Sequence, residues 1–175
     1  MRRRSMFTRG LRLTSLAGVT LGLSFALVGW TSVKSHVEQP MGFSHAKHAE
    51  EDMACVDCHM RAEEGPYATT PGYKTCLLCH EEAQGEDPDE PRIREYAERE
   101  EPIPWIQVNR VVGHVYFSHA PHVVLGEMEC ADCHGDMTTL DEPVTESQIE
   151  WMTMGACMDC HDERNVSNDC LLCHK

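Results

Sequence analysis

Hydrophobic side chains are concentrated in one stretch near the start of the chain, where serine, threonine and glycine interrupt them, and they are thinly scattered after it. Residues 13–30 carry no charge, and a helix of this length would reach about 27 Å, close to the roughly 30 Å hydrocarbon core of a bilayer. We therefore expect an uncleaved transmembrane signal-anchor over residues 13–30. The alternative is a cleaved secretory signal, because Ser24-Phe25-Ala26 has the small-x-small pattern of a cleavage site, although it lies inside the apolar stretch.

Positive charge precedes this stretch. Residues 1–12 contain five arginines and no acidic residue, and the positive-inside rule keeps such a segment in the cytoplasm. The pattern predicts a single-pass protein of the bacterial inner (cytoplasmic) membrane. The remainder of the chain would then lie in the periplasm or another extracytoplasmic space.

After a linker at residues 31–40, the hydrophobic pattern shows no long helical or strand periodicity. We expect a mostly irregular fold with short α-helices, divided into two modules at residues 41–80 and 114–175. An acidic connector at residues 81–113 would join the two modules.

The connector contains two predicted elements. A short helix is expected from Arg92 to Glu101, and the prolines that follow favour an extended chain over residues 102–108. Trp105, like Trp151 further along, is a large apolar side chain that we expect to pack on a prosthetic group, with a protein partner as the alternative.

All ten cysteines fall in five CxxCH motifs, two in the first module and three in the second. Two thiols at this spacing can reach the two vinyl groups of one porphyrin, and the histidine that follows can reach the iron, which is why CxxCH indicates c-type haem attachment. Zinc sites and disulfides are the alternatives, but a zinc ribbon needs no histidine directly after the second cysteine. The sequence therefore predicts five covalently bound haem c groups in an extracytoplasmic compartment. The attachment residues are Cys55, Cys58, Cys76, Cys79, Cys130, Cys133, Cys157, Cys160, Cys170 and Cys173, and the proximal iron ligands are His59, His80, His134, His161 and His174.

The two modules begin with copies of one unit. FSHAKH at residues 43–48 precedes CVDCH, and FSHAPH at residues 117–122 precedes CADCH. The copies are offset by 74 residues at FSHA and by 75 at the cysteines. This spacing indicates duplication of a functional unit.

Six histidines remain for the opposite sides of the irons. Histidines three apart project from nearly the same face of a helical turn at different heights, so one can bind its own module's haem and the other a neighbouring haem. We therefore predict His45, His48, His119 and His122 as distal ligands. The fifth distal ligand is His114 or Met154, and His36 is expected to be an ordinary surface residue. If every iron has two protein ligands, no position is open for a substrate, and we expect no catalytic residues.

Charge divides the chain sharply. The net charge is −14, and because the first 30 residues contribute +5, the remainder carries −19. Such an acidic body argues against nucleic acid as a partner and suits a partner with a basic docking face, although simple solubility explains it equally well.

The motifs also resemble a known family. FxHxxH followed by CxxCH resembles the class III multihaem cytochromes. A longer series over residues 39–174 runs QPMGFSHAKH, CVDCH, CLLCH, PIPWIQVNRVVGHVYFSHAPHV, CADCHGDM and MTMGACMDCH. It resembles the membrane-anchored pentahaem or hexahaem cytochrome subunit of alternative complex III and of related periplasmic quinone reductase complexes. The resemblance favours Met154 or His114 as a ligand, whereas Asn109 stands where the family often has histidine.

The resemblance implies a non-catalytic electron-transfer subunit. It would relay electrons between a quinone-linked membrane complex and a periplasmic or membrane partner, such as a cytochrome or an oxidase. One alternative is a self-contained tetrahaem or pentahaem quinol dehydrogenase, but those carry the first CxxCH close to the membrane helix, whereas 24 residues separate Trp30 from Cys55 here. The other alternative, a soluble periplasmic shuttle, requires cleavage of the signal.

Overall fold

Short helices in irregular chain make up the computed structural model, which describes residues 36–149 and 152–174. The predicted cytoplasmic segment, the predicted anchor and Trp151 lie outside these described residues. Within the described ranges no strand forms, and no helix has the length and apolarity that a bilayer crossing requires. The expected fold class, mostly irregular chain with short α-helices, is therefore confirmed for this part of the chain. The helices are α1 His45–Glu50, α2 Cys55–Cys58, α3 Tyr73–His80, α4 Pro91–Glu98, α5 Cys130–His134, α6 Met154–Glu163 and α7 Cys170–Cys173, with a π-helical turn at Pro121–Leu125 and a 3₁₀ turn at Met137–Thr139.

The connector helix α4 ends three residues earlier than the sequence predicts. It begins at Pro91, whose fixed φ and missing N–H suit the first turn of a helix. Glu100 takes a positive φ of 53°. Its N–H donates to Ala97 O (3.1 Å), and the next N–H, of Glu101, donates to Tyr96 O (3.0 Å). This is a Schellman ending, which the acidic composition gave no reason to expect because glycine usually occupies the left-handed position.

A small apolar core lies in the first half of the described chain. Met41, Ile93 and Ile103 are each 6% exposed and pack together, with α3 and α4 as the main helix pair. Trp105 packs against this cluster, and its indole N–H donates to Pro71 O at 2.9 Å. Beyond Ile103 no described residue is buried, and side chains such as Leu125 and Leu171 are 82% and 76% exposed. The second half therefore offers apolar surface that the polypeptide alone does not cover.

The two copies of the repeated unit are joined by a pair of equivalent hydrogen bonds. The N–H of Ala46 donates to Leu140 O at 3.0 Å, and the N–H of the equivalent Ala120 donates to Gly65 O at 3.2 Å. Gly65 and Leu140 are also equivalent, because each follows the second cysteine of its own copy by seven residues. Equivalent groups thus exchange equivalent bonds, as at an interface between two identical subunits.

Candidate haem sites

Each CxxCH motif lies on a helical turn. For reference, the five motifs are called sites 1 to 5 in chain order, and they lie on α2, α3, α5, α6 and α7. No disulfide joins any of the ten cysteines, and in the described part of the chain no three Cys, His, Asp or Glu side chains converge as a metal-binding group. In site 1 the carboxylate of Asp57 accepts the N–H of Ala54 at 2.7 Å, and in site 3 Asp132 accepts the N–H of Glu129 at 3.0 Å. These capping bonds fix the turn that presents the two thiols and the histidine.

Each of four motif histidines faces a second imidazole. The ring centroids are 6.1 Å apart for His80 and His48, 6.3 Å for His134 and His119, and 6.2 Å for His161 and His122. Two imidazoles that bind one metal ion from opposite sides at about 2.0 Å would have centroids about 6.3 Å apart. The spacing in these three pairs therefore fits an iron held between the two rings. The fourth pair, His174 and His114, is somewhat closer at 5.5 Å with nearly parallel rings.

The remaining motif histidine, His59, has His45 as its neighbour. Burial lowers the pKa of His45, and the nearby imidazoles of His59 and His48 lower it further. The Nδ1 atom of His45 is buried and has no hydrogen-bond partner among the described residues. A buried polar atom left in this state costs free energy, so Nδ1 of His45 suits a hydrogen-bonding group that the polypeptide does not supply.

The two candidates for the fifth distal ligand, His114 and Met154, have different surroundings in the structure. His114 stacks on His174, whose Nδ1 lies 3.2 Å from His114 O, and the adjacent Val115 forms a β-bridge with His174. Met154 is the first residue of α6 and is 67% exposed. The geometry therefore favours His114 opposite site 5, while the assignment itself stays a prediction.

Hydrogen bonds orient most of the paired rings through Nδ1 and leave Nε2 for a metal. Among the motif histidines, the Nδ1 of His59 bonds Thr69 O at 2.6 Å and that of His161 bonds Ser167 O at 3.2 Å. Partners of this kind fix the orientation and tautomer of metal-binding imidazoles. The distal rings follow the same pattern, with His48 bonded to Ser44 O at 2.7 Å, His122 to Ser118 O at 2.7 Å and His119 to Pro66 O at 2.9 Å.

Site 2 differs from sites 1, 4 and 5 because the Nδ1 atom of its motif histidine contacts a carboxylate and not a backbone carbonyl. Glu90 Oε1 lies 2.8 Å from His80 Nδ1 and also accepts the N–H of Gln84 at 2.8 Å. Glu90 is 7% exposed, and Arg94 lies 3.6 Å away. The hydrogen bond from His80 holds the pKa of Glu90 below its usual range, with the Gln84 N–H adding to this effect against the opposing effect of burial.

Neighbouring thiols show which sites adjoin one another. Burial is the main cause that raises the pKa of Cys76, and the nearby thiol of Cys58 raises it further, so sites 1 and 2 are neighbours. In the same way burial raises the pKa of Cys130 of site 3, and the nearby Cys55 of site 1 raises it further. Burial likewise raises the pKa of Cys133 of site 3, and Asp132 and the nearby Cys160 and Cys157 of site 4 raise it further. Burial also raises the pKa of Cys157 of site 4, and the nearby Cys173 of site 5 raises it further. The spatial order of the sites is therefore 2, 1, 3, 4, 5.

Two other residues that the sequence singled out have structural outcomes. His36 is exposed, as expected of a surface residue. Asn109 lies beside site 3, where its amide is 3.4 Å from His134 Nδ1 and accepts the Ser147 hydroxyl at 2.6 Å. The sequence singled out Asn109 only as a departure from the family pattern, and it did not point to Glu90 at all, because six of residues 81–90 are acidic and nothing in the pattern distinguishes one from another.

Comparison with known proteins gives the class of this chain. The family model described as cytochrome c7 and related cytochrome c matches residues 115–175. Together with the five CxxCH motifs and the facing imidazoles, the match defines the class as a cytochrome c that binds several haems. The chain is also 33% identical over 184 residues to the menaquinone reductase multihaem cytochrome c subunit of Nitratidesulfovibrio vulgaris, covering 89% of this chain and 88% of that subunit. The chain therefore belongs to the multihaem cytochrome c family of that subunit and binds haem c covalently.

Proposed function

We propose that this protein is an electron-transfer subunit that holds five haem c groups between paired histidines. In this proposal His45, His48, His119, His122 and His114 lie opposite the motif histidines of sites 1, 2, 3, 4 and 5. The observation that carries the proposal is the repeated spacing of 6.1–6.3 Å between facing imidazole rings. When bound, each haem iron would accept and release one electron.

The HxxH histidines join neighbouring sites in pairs. His45 and His48 share α1 and face sites 1 and 2, whereas His119 and His122 face sites 3 and 4. The contact between Cys55 and Cys130 joins the two pairs. The polypeptide would thus hold its haems in a continuous row that begins at site 2 and ends at site 5.

Paired ligation assigns the protein to electron relay and not to substrate chemistry. Two histidines on one iron leave no coordination position for a small substrate, so the residues of the chain bind and orient the haems without catalysing a reaction. The name of the similar subunit includes menaquinone reductase. We propose a comparable setting here, in which a quinone-linked membrane complex and a second redox protein exchange electrons through the row. Residues 13–30 would anchor the chain, with the haem-binding part on the extracytoplasmic side.

Purification of the full-length protein from membranes tests the proposal. Intact mass should show five haems on one chain, and the ferric spectrum should be entirely low-spin, with no haem that binds carbon monoxide after reduction. Other redox subunits should copurify, and a quinol analogue should reduce the haems only in their presence. A lone protein that oxidises quinol would support the self-contained dehydrogenase, and a five-coordinate haem would overturn the relay.

A further inference from the structure

The contact between Glu90 and His80 places a negative charge beside one ring. With iron on Nε2, the proton of this imidazole is on Nδ1, so His80 donates to Glu90 Oε1 at 2.8 Å. The carboxylate is held there by the Gln84 N–H and by its place directly before α4. Arg94, at 3.6 Å, favours its ionised form and also donates to His80 O at 3.2 Å.

The other motif histidines have neutral partners. His59, His161 and His174 bond backbone carbonyls, and His134 meets the amide of Asn109 at 3.4 Å. A carboxylate draws the Nδ1 proton more strongly than a carbonyl does, which makes the imidazole a more basic ligand. A more basic ligand stabilises ferric over ferrous iron, and hydrogen bonds to a ligand ring are one of the ways in which proteins tune haem potentials.

We propose that Glu90 is a positioning residue that specifically lowers the reduction potential of the haem at site 2. The inference rests on the proposed function, because it requires His80 to ligate iron. Site 2 is one end of the spatial order, so the chain would have a terminus of low potential. The second copy provides no counterpart, since His161 of site 4, which faces the equivalent His122, bonds the backbone carbonyl of Ser167.

Glu90→Gln in the full-length, haem-loaded protein tests this role. The substitution keeps the size and an oxygen acceptor but removes the charge. Potentiometric titration followed by visible absorption and low-temperature EPR should show an upward shift in the midpoint of one haem, with four unchanged and all five low-spin. Glu86→Gln is the matched control, because Glu86 is exposed in the same acidic loop and loses the same charge without touching an imidazole. Equal shifts in both variants, or a Glu90→Gln titration that superimposes on that of the native protein, would overturn the proposal.

The native protein provides a second readout in case the variant fails to load its haems. One of its low-spin ferric EPR signals should have the reduced g-anisotropy of an imidazole with histidinate character. Five signals of ordinary neutral bis-histidine type would contradict the role of Glu90 while leaving the relay intact. A haem count below five, or a high-spin haem in the native protein, would instead count against the proposed function.

Discussion

The two copies of the FSHxxH unit reach the same ring geometry through different backbones. Phe43 stacks on His48 at 4.6 Å, and Phe117 stacks on His122 at 4.7 Å. The second histidine of each copy bonds the serine carbonyl four residues earlier at 2.7 Å. The arrangement of the rings is therefore preserved where the helix type is not.

One difference within the six-residue motif lies at Lys47 in the first copy and Pro121 in the second. The N–H of Lys47 donates to the Ser44 hydroxyl at 3.1 Å and caps α1. Proline has no N–H to offer, and the second copy forms a π-helical turn in which the Gly126 N–H donates to Pro121 O at 2.9 Å. A Cβ at Gly126 would lie 2.6 Å from His122 O, so this turn requires glycine. The comparison teaches that ligand placement depends on the Phe and Ser contacts and tolerates a change of helix type.

The largest expected effect comes from removing the equivalent ligands His48 and His122. Each substitution by alanine should convert one low-spin haem of five into a high-spin haem that binds carbon monoxide, because each ring faces one motif histidine at 6.1–6.2 Å. Low-temperature EPR and carbon monoxide difference spectra measure this. If only one variant gained a high-spin haem, the two copies would not be functionally equivalent.

Site 5 lies outside the duplication, so its ligand is tested separately. His114→Ala should produce one high-spin haem, since His114 stacks on His174 at 5.5 Å. Met154→Leu should leave all five haems low-spin, because His114 already faces His174. Visible absorption spectra of both variants provide the measurement, because a methionine ligand to iron gives a weak absorption band. The reverse result, with Met154→Leu alone changing the spectrum, would reassign the ligand.

The sequence predicted the short helices, the duplication and the set of histidines, because motif spacing encodes local chemistry. It did not predict which rings face each other or the spatial order of the sites, since these depend on contacts between residues far apart in sequence, such as Cys55 with Cys130. The sequence also did not predict the contact between Glu90 and His80. Glu90 is one of several acidic residues within residues 81–90, and it is distinguished only by its position directly before the helix that begins at Pro91. The early end of α4 escaped prediction because a glutamate, not a glycine, adopts the left-handed conformation at Glu100.

An intermediate effect is expected on the free energy of unfolding when a residue of the apolar core is truncated. This core lies only in the first half of the described chain. Ile93→Ala should lower the free energy of unfolding by about 2–5 kcal/mol, the usual cost of truncating a large buried aliphatic side chain, since Ile93 is 6% exposed. Ile106→Ala, at a position 41% exposed, should cost less. Chemical denaturation followed by far-ultraviolet circular dichroism compares the two. Similar losses would show that the polypeptide core contributes little beside the haems.

The smallest expected effect is on the free energy of unfolding, when the equivalent serines of the two copies are replaced. Ser44→Ala should lower the free energy of unfolding by about 1 kcal/mol, because it removes the N-cap of α1, and Ser44 is only 8% exposed. Ser118→Ala should change stability less, since no side chain caps the turn at Pro121–Leu125. The serine carbonyls that bond His48 and His122 are backbone groups, so both variants should keep their low-spin spectra. Equal destabilisation by the two substitutions would mean that the proline copy uses its serine hydroxyl after all, and that the copies differ less in capping than in helix type.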